Sequence, residues 1–316
     1  MKANEVGIAG EVRCVITRAD GSVKADTGFQ KNLILNQGLD FFGGDKGYNI
    51  NEYCAIGSGN SSPAVTQTKL DAYITQAAGT DTTYDYSYVD KGDGLYRLWE
   101  QKKYRFTGLD NVNISEVGLV STGTTSTNYY LTTRALIKDS LGAPTSISVK
   151  TGETLDIYYK IHKVIDTRDK AFVVNVLDGD GGSVPYNIIF RSASVGSTFS
   201  NGVTTAMSTI GYPIVTESDL SSITTSASGG TGGLSSELST YIPSSYKRTL
   251  TLKMGLNESN KGIRTISSYT GQPSFTFLPF QMRFGRVSDD APLTKTNKET
   301  LTIPLEFSWG RFEGEL

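Results

Sequence analysis

Hydrophobic and polar residues alternate along most of the chain, and this two-residue period predicts β-strands. Residues 10–17 read GEVRCVIT, a pattern that places apolar side chains on one face of a sheet. The dipeptide Asp20-Gly21 follows and predicts a hairpin turn. Further strands, separated by turns that contain Gly or Pro, are predicted over 53–60, 84–89, 95–106, 114–120, 129–137 and 155–161.

Helical patterns are few and short. One apolar stretch near Gly38 is compatible with a helix, and residues 65–76 and 235–242 are the other two candidates. Gly, which occurs 34 times, supplies turns, while Thr, Tyr and Phe suit the half-buried surface of a pleated sheet. The pattern therefore predicts an all-β fold with antiparallel strands in two β-sandwich-like domains.

A domain boundary is predicted at the charged stretch 166–170, which gives an N-terminal domain over 1–166 and a C-terminal domain over 167–316. The two domains share sequence patterns in three pairs of segments: 152–161 with 298–307, 104–109 with 252–256, and 134–136 with 283–285. The matches indicate either an internal duplication or the general likeness of Thr-rich amphipathic strands. Both interpretations stay open at this point.

The stretch 192–241 is rich in Ser, Thr and Gly, and it holds too little apolar surface to order itself. It is either a flexible excursion between two strands or an arm that orders against a neighbouring subunit, and we favour the arm. Five apolar residues within it are predicted to make the subunit contact: Met207, Ile210, Tyr212, Ile214 and Val215.

The charge balance excludes some partners. With 30 Lys and Arg against 32 Asp and Glu, the formal net charge is -2. Such a chain lacks the excess of cations that binds polyphosphates, so no nucleic-acid partner is predicted. No apolar run reaches the ~18 residues that span a bilayer, and no secretory signal is recognised, so no membrane partner is predicted.

Two cysteines and one histidine limit the chemistry of the chain. Cys14 and Cys54 lie in apolar strand patterns, where burial as small hydrophobic side chains is favoured over a disulfide. Together with His162 they are too few for a zinc site within one chain. His162 is predicted on a surface or edge strand, and no Gly-x-Ser-x-Gly turn accompanies it. We therefore predict no enzyme, no catalytic residue, no cofactor and no metal ligand.

Several motif-like strings are explained by turns and strands. Residues 178–182 begin like a calcium-binding loop, but the twelfth position is Ile189 instead of a carboxylate, which favours a hairpin turn. Glu116 is expected to be the polar, solvated alternate of an apolar strand rather than a catalytic acid. Trp99 and Trp309 are expected in the core rather than as platforms for sugar rings.

The first half of the chain also contains an ordered set of short motifs. They are DG at 20–21, NLI at 32–34 with GL at 38–39, YCAIGSG at 53–59, ISEVGL at 114–119, RALIKDSLGAPT at 134–145 and LDIY at 155–158. In this combination, the segment over residues 5–165 resembles uncharacterised virion structural proteins of tailed bacteriophages. No such motif is recognised after the predicted boundary.

The resemblance implies a structural component of a phage particle, placed in the tail, the neck or collar, or the baseplate. Such a protein assembles in the host cytoplasm and stays in the virion. Its partners would be other virion proteins and symmetry copies of itself, and a near-neutral charge suits dense subunit packing. Two alternatives stay open: a capsid decoration protein, and a receptor- or glycan-binding β-sandwich module, which alone would have a glycan partner.

Overall fold

The computed structural model describes residues 1–44, 50–81, 87–121, 130–177, 181–193, 195, 203–207, 212–225, 230, 233–269 and 277–316. Almost all of their regular structure is β-strand, which confirms the predicted all-β class. The described part of the chain has one helix, α1 (Asn36–Phe41), and it lies at the predicted place near Gly38.

The other two predicted helices are wrong. Strand β5 (Tyr73–Asp81) occupies the end of the first, and strand β17 (Ser235–Leu238) occupies the second. Immediately before β5, the backbone N–H groups of Asp71 and Ala72 donate to the Glu116 carboxylate, at 3.2 and 2.8 Å. A side chain from outside the segment thus satisfies donors that a helix would satisfy with its own carbonyl groups.

The chain divides into two compact units. The barrel unit comprises Gly7–Ser87, Trp99–Lys163 and Gly310–Leu316, and the open unit comprises Met1–Val6, Tyr88–Leu98 and Val164–Trp309. Each unit contains segments from both sides of the predicted boundary. Most of the barrel unit comes from before that boundary, and most of the open unit comes from after it.

The barrel unit is built on a closed ring of strands. The ring strands are, in spatial order, β1 (Lys2–Thr17), β3 (Gln30–Ile34), β11 (Thr133–Leu136), β9 (Glu116–Ser121), β4 (Tyr53–Gly57), β5, β7 (Leu95–Phe106) and β13 (Thr154–Asp166). β13 pairs again with β1, so the ring has no open edge. The structure therefore corrects the predicted sandwich of the first half to a barrel.

Two apolar cores hold this barrel together. Alternation along β13 buries Leu155, Ile157 and Tyr159 on the inner face. On the outside of β4 and β9 a second cluster is buried, consisting of Leu35, Ala55, Leu70, Val120 and Leu131. Leu70 belongs to the segment between β4 and β5, so that segment lies against the outer face of the barrel.

The open unit is built mainly from two groups of strands. A five-stranded sheet runs in the order β14 (Lys170–Leu177), β15 (Ser183–Ser192), β21 (Phe280–Arg286), β20 (Thr265–Tyr269) and β16 (Tyr212–Thr216). The second group is β17, β18 (Lys247–Met254) and β23 (Leu301–Arg311), and β23 also pairs with the Met1–Val6 stretch of β1. The rings of Phe190, Phe280 and Phe307 meet in the core of this unit, with centroids 5.4 to 6.2 Å apart.

Seven further strands are short. They are β2 (Val23–Asp26), β6 (Ser87–Asp90), β8 (Val112–Ile114), β10 (Tyr130–Leu131), β12 (Ile147–Val149), β19 (Gly262–Ile263) and β22 (Leu293–Thr294). β8 pairs with β12, and β19 pairs with β22.

The two units repeat one topology. In chain order, β14 to β23 correspond to β1, β3, β4, β5, β7, β8, β9, β11, β12 and β13. The pairings β14–β15, β15–β21, β21–β20, β20–β16, β17–β18, β18–β23 and β19–β22 repeat those of the equivalent first-half strands. Among the described residues, β16 and β17 are not paired, and neither are β23 and β14, so the repeat is open at two places.

This topological repeat agrees with an internal duplication. The three segment matches seen in the sequence fall on equivalent strands: β13 with β23, β7 with β18, and β11 with β21. General likeness between amphipathic strands does not require that matched strands also share their neighbours and their order. We therefore read the second half as an opened version of the barrel.

Candidate functional site

Glu116, the acidic residue of the ISEVGL motif, is fully buried at the start of β9. The expectation of a solvated position is wrong, because the segment between β4 and β5 covers this end of the strand. Glu116 Oε1 accepts the backbone N–H groups of Gly59 and Ala72, at 3.0 and 2.8 Å. Its Oε2 accepts the N–H of Asp71 at 3.2 Å.

Arg134, the first residue of the RALIKDSLGAPT motif, neutralises Glu116. The Arg134 side chain is fully buried, and its Nε donates to Glu116 Oε2 at 2.8 Å. Its Nη2 donates to Asp71 Oδ2 at 2.7 Å, and its Nη1 donates to the Ser61 carbonyl at 3.0 Å and to Gln67 Oε1 at 2.9 Å. One guanidinium thus ties β11 and β9 to three points of the covering segment.

Asp71 brings a second carboxylate to the same cation. The Ser61 hydroxyl donates to Asp71 and is the main reason that the pKa of this carboxyl is lowered, and Arg134 lowers it further. Asp71 is therefore ionised at neutral pH. We call the five residues Ser61, Gln67, Asp71, Glu116 and Arg134 the clamp.

Two glycines of the YCAIGSG motif make room for the clamp. A Cβ atom on Gly57 would lie 2.5 Å from Glu116 Oε1 and 2.7 Å from the Ala72 carbonyl oxygen. On Gly59 it would lie 2.5 Å from Glu116 Oε1. The YCAIGSG, ISEVGL and RALIKDSLGAPT motifs therefore meet at one place and hold one segment against the barrel.

Replacing Gly57 by alanine is expected to lower the free energy of unfolding by about 1–3 kcal/mol, because the added methyl group overpacks the carboxylate of the clamp. Thermal or urea unfolding of the full chain measures the loss. Gly255→Ala is the matched control, since a Cβ there meets its nearest neighbour, Glu258, at 3.4 Å. Equal stability of the two variants would contradict the close packing at Gly57.

Lys163 on β13 is a further buried ionisable residue in the barrel unit. Its side chain is fully buried, and its Nζ lies 5.8 Å from the ring centroid of Phe42. Burial lowers the pKa of Lys163 to about 7, against the opposing influence of the nearby Glu100 carboxylate. Glu100 is itself buried and accepts a hydrogen bond from Asn51 Nδ2 at 2.9 Å.

The thiols and the imidazole are also inside the barrel unit. Cys14 and Cys54 are buried and free, which confirms the favoured prediction, and burial raises the pKa of Cys14 to about 12. The prediction of a surface or edge position for His162 is wrong. Its strand, β13, has neighbours on both sides, and its Nε2 lies 3.0 Å from Glu11 Oε2. This hydrogen bond lowers the pKa of Glu11.

The barrel unit carries aromatic rings and cations together on its outer face. Lys160 Nζ lies 4.1 Å from the ring centroid of Phe29 and 4.5 Å from that of Trp99. The Arg13 guanidinium carbon lies 5.9 Å from the centroids of both Phe29 and Tyr158. All five side chains are partly exposed. We call Arg13, Phe29, Trp99, Tyr158 and Lys160 the aromatic–cation face.

The two tryptophans therefore differ in role. Trp309 is buried in the open unit, where its ring centroid lies 5.7 Å from that of Tyr241 and 5.5 Å from that of Phe277. This confirms its expected core position. Trp99 is instead only partly buried and belongs to the aromatic–cation face, so the core expectation is wrong for this residue.

Strand β14 is the outermost strand of the five-stranded sheet. Among the described residues it pairs with β15 alone. Its side chains alternate between half-buried and exposed, and the exposed set includes Val173 and Leu177, at 67% and 78% relative exposure. An apolar, exposed edge strand of this kind is open to pairing with another chain.

The residues predicted to contact a neighbouring subunit lie elsewhere. Met207 and Val215 are fully buried and Ile214 is 8% exposed, so the open unit itself covers these side chains. Ile210 lies outside the described residues, as do residues 226–229 and 178–180, and for Tyr212 only the backbone, in β16, is described. The stretch 192–241 also supplies β16 and β17, so its described parts belong to the fold of the unit.

The residues that the structure describes contain no group of three or more His, Cys, Asp and Glu side chains that could hold a metal ion. They also contain no helix with the length and hydropathy needed to cross a membrane.

Comparison of the chain with models of protein families, with curated proteins and with solved structures gave no match.

Proposed function

We propose that this protein is a structural component of a tailed-phage particle, placed in the tail, the neck or collar, or the baseplate, and that it acts through subunit contacts. It would assemble in the host cytoplasm and remain in the virion. Its partners would be other virion proteins and further copies of itself.

The clamp is the observation that carries this proposal. The motifs that resemble phage virion proteins place Glu116 and Arg134 in a buried ion pair, and all the polar contacts of Glu116 go to Arg134 and to the covering segment. A carboxylate occupied in this way positions a segment of backbone and has no free oxygen directed at a substrate. The motif residues therefore serve the shape of the protein, which is what a particle subunit requires.

Copy number in purified particles tests the proposal. Phage particles that encode this chain would be purified by density-gradient centrifugation, and the chain would be quantified by mass spectrometry against the major capsid protein. A fixed number of copies per particle, retained after washing at high salt, is expected. Detection only in the soluble lysate would contradict the proposal. Loss of the chain from particles with intact tails but stripped capsids would instead favour capsid decoration.

A second candidate function is binding of a receptor glycan, and the aromatic–cation face favours it. Sugars bind proteins by stacking their apolar faces on exposed aromatic rings. Trp99, Phe29 and Tyr158 present partly exposed rings, and Lys160 Nζ lies 4.1 Å from the ring centroid of Phe29 and 4.5 Å from that of Trp99.

Trp99→Ala tests the glycan candidate. If the face binds glycans, the wild-type chain binds members of a glycan array, and the variant loses at least about tenfold in affinity, because one stacking surface is removed. Val23→Ala, another exposed apolar position in the barrel unit, is the control and should bind as the wild type does. If the wild-type chain binds no glycan on the array, this second function is contradicted.

A further inference from the structure

Strand β14 is the point where the repeated topology is incomplete. In the barrel unit the equivalent strand, β1, has a ring neighbour on each side, namely β3 and β13. In the open unit the equivalent of β13 is β23, which pairs with the Met1–Val6 stretch instead of with β14. The backbone groups along the outer side of β14 thus have no strand partner among the described residues.

The composition of β14 makes this edge unusual for a protein that stays monomeric. Residues 171–177 read AFVVNVL, with no charge, no Pro and no Gly. Proteins commonly protect an exposed edge strand with a Lys, a Pro or a bulge, and β14 has none of these between Ala171 and Leu177. At the opposite edge of the same sheet, β16 carries Pro213, which removes one backbone donor. The two edges of this sheet are therefore not equivalent.

The same segment is complementary to itself. When two copies of β14 run antiparallel around a twofold axis through Val174, Ala171 lies opposite Leu177, Phe172 opposite Val176, and Val173 opposite Asn175. In this register each exposed, odd-numbered residue lies opposite another exposed residue, and each half-buried, even-numbered residue lies opposite another half-buried one. The exposed faces of the two sheets therefore continue into one another, and so do the half-buried faces. Shifting the axis to Val173 would place Lys170 opposite Val176 and bring a charge into the contact.

We propose that β14 is the contact through which two copies of this chain associate, by antiparallel pairing of residues 171–177 across a twofold axis at Val174. This contact depends on the proposed function in one respect only, namely that the two copies would meet in a phage particle. Seven paired residues bury less area than a standard stable interface, so the isolated dimer is weak and gains strength when other contacts hold the copies together.

A cysteine cross-link tests the register of the pairing. In Val174→Cys the two introduced thiols face one another across the axis, at the roughly 5.5 Å Cα separation or less that a disulfide tolerates. In Val173→Cys, the matched control, they are diagonal neighbours at roughly 7–8 Å, even though Val173 is more exposed. Under mild oxidation of the full chain we expect at least about tenfold more covalent dimer from the first variant than from the second. The native thiols, Cys14 and Cys54, are buried and give no background.

A charge substitution tests the association itself. Val173→Lys places two ammonium groups close together on one face of the paired strands, so we expect the dissociation constant from sedimentation velocity to rise at least about tenfold. Ile242→Lys changes a residue with 69% exposure between β17 and β18, in the other group of strands, and should associate as the wild type does.

Two outcomes would overturn the inference: a wild-type chain that stays monomeric throughout while Val174→Cys fails to cross-link, or equal cross-linking of Val173→Cys and Val174→Cys. The proposed function fails separately. If Val174→Cys forms the covalent dimer but the chain is absent from particles, the β14 contact is supported and the virion role is contradicted. If Val173→Lys enters particles at the normal copy number and Val174→Cys forms no cross-link, the virion role is supported and the β14 contact is contradicted.

Discussion

Replacing Arg134 by methionine is expected to lower the free energy of unfolding by about 3–5 kcal/mol, the cost of breaking a buried ion pair by removing one partner. Glu116, fully buried, would lose its cationic partner. Asp71 would lose the same cation, and the Ser61 carbonyl and Gln67 would lose a donor. Equilibrium urea unfolding of the full chain measures the change.

A surface pair provides the matched control. Arg13 makes two hydrogen bonds to Asp26, at 2.8 and 2.5 Å, but the two side chains are 38% and 35% exposed. Solvent screens such a pair, so Arg13→Met should cost less than about 1 kcal/mol. Similar losses in both variants would show that the burial of the clamp contributes nothing.

The double variant Arg134→Met/Glu116→Leu gives a sharper test of what Glu116 does. When the two charges of a buried ion pair interact only with each other, replacing both residues by apolar ones often restores stability. Here the carboxylate also accepts the N–H groups of Gly59, Asp71 and Ala72. We therefore expect no recovery, because the double variant leaves three backbone donors without their acceptor. Recovery to the wild-type stability would show that Glu116 contributes only through its ion pair with Arg134.

Local features of the fold were predictable from the sequence. At the first hairpin, Asp20 Oδ1 accepts the N–H of Ser22 at 2.9 Å and Gly21 has φ of 86°, which is the turn chemistry that Asp-Gly favours. The burial of Cys14 and the strand over 95–106 follow from alternation in the same way. In each case the information lies within a few residues.

Closure of the barrel was not predictable by such patterns. It depends on the pairing of β13 with β1, and an alternating strand has the same appearance in a sandwich and in a barrel. The position of Glu116 was missed for a related reason. Alternation shows which side chains share a face, but the segment that covers the outer face of β9 lies far away along the chain.

The residues predicted to make subunit contacts illustrate a different limit of sequence patterns. Met207, Ile214 and Val215 stand out as apolar residues in a polar stretch, and such residues need burial wherever they find it. The open unit buries them in its own core. In β14 the apolar residues are instead so regular that they resemble an ordinary core strand, and only the sheet order reveals that one side is unpaired.

The second large effect concerns pH: between about pH 7 and 8.5 the chain is expected to become more stable as pH rises, because of Lys163. Its folded pKa is about 7, whereas an unfolded lysine has a pKa of about 10.4. Between these values the unfolded state binds more protons, so stability rises with pH by up to about 1.4 kcal/mol per unit. Below pH 7 both states are protonated and the burial penalty, about 4–5 kcal/mol, is constant.

The buried thiols set the upper end of this window. Burial raises the pKa of Cys14 to about 12 and that of Cys54 well above its ordinary value. An unfolded thiol has a pKa of about 8.5, so above that pH the unfolded state loses protons that the folded state retains. Their contribution therefore lowers stability as pH rises, which opposes the contribution of Lys163 and limits a clear measurement to the range below pH 8.5.

Two variants of Lys163 separate this effect from all others. Lys163→Met removes the titrating group and should abolish the rise between pH 7 and 8.5 in a series of urea unfolding curves. Lys163→Arg places a cation that cannot lose its proton at the same buried position, so it should be strongly destabilised at every pH and equally flat. A rise that persists in Lys163→Met would assign it to another group. A stable Lys163→Arg would show that the site hydrates or pairs the charge, and that Lys163 is itself protonated in the folded chain.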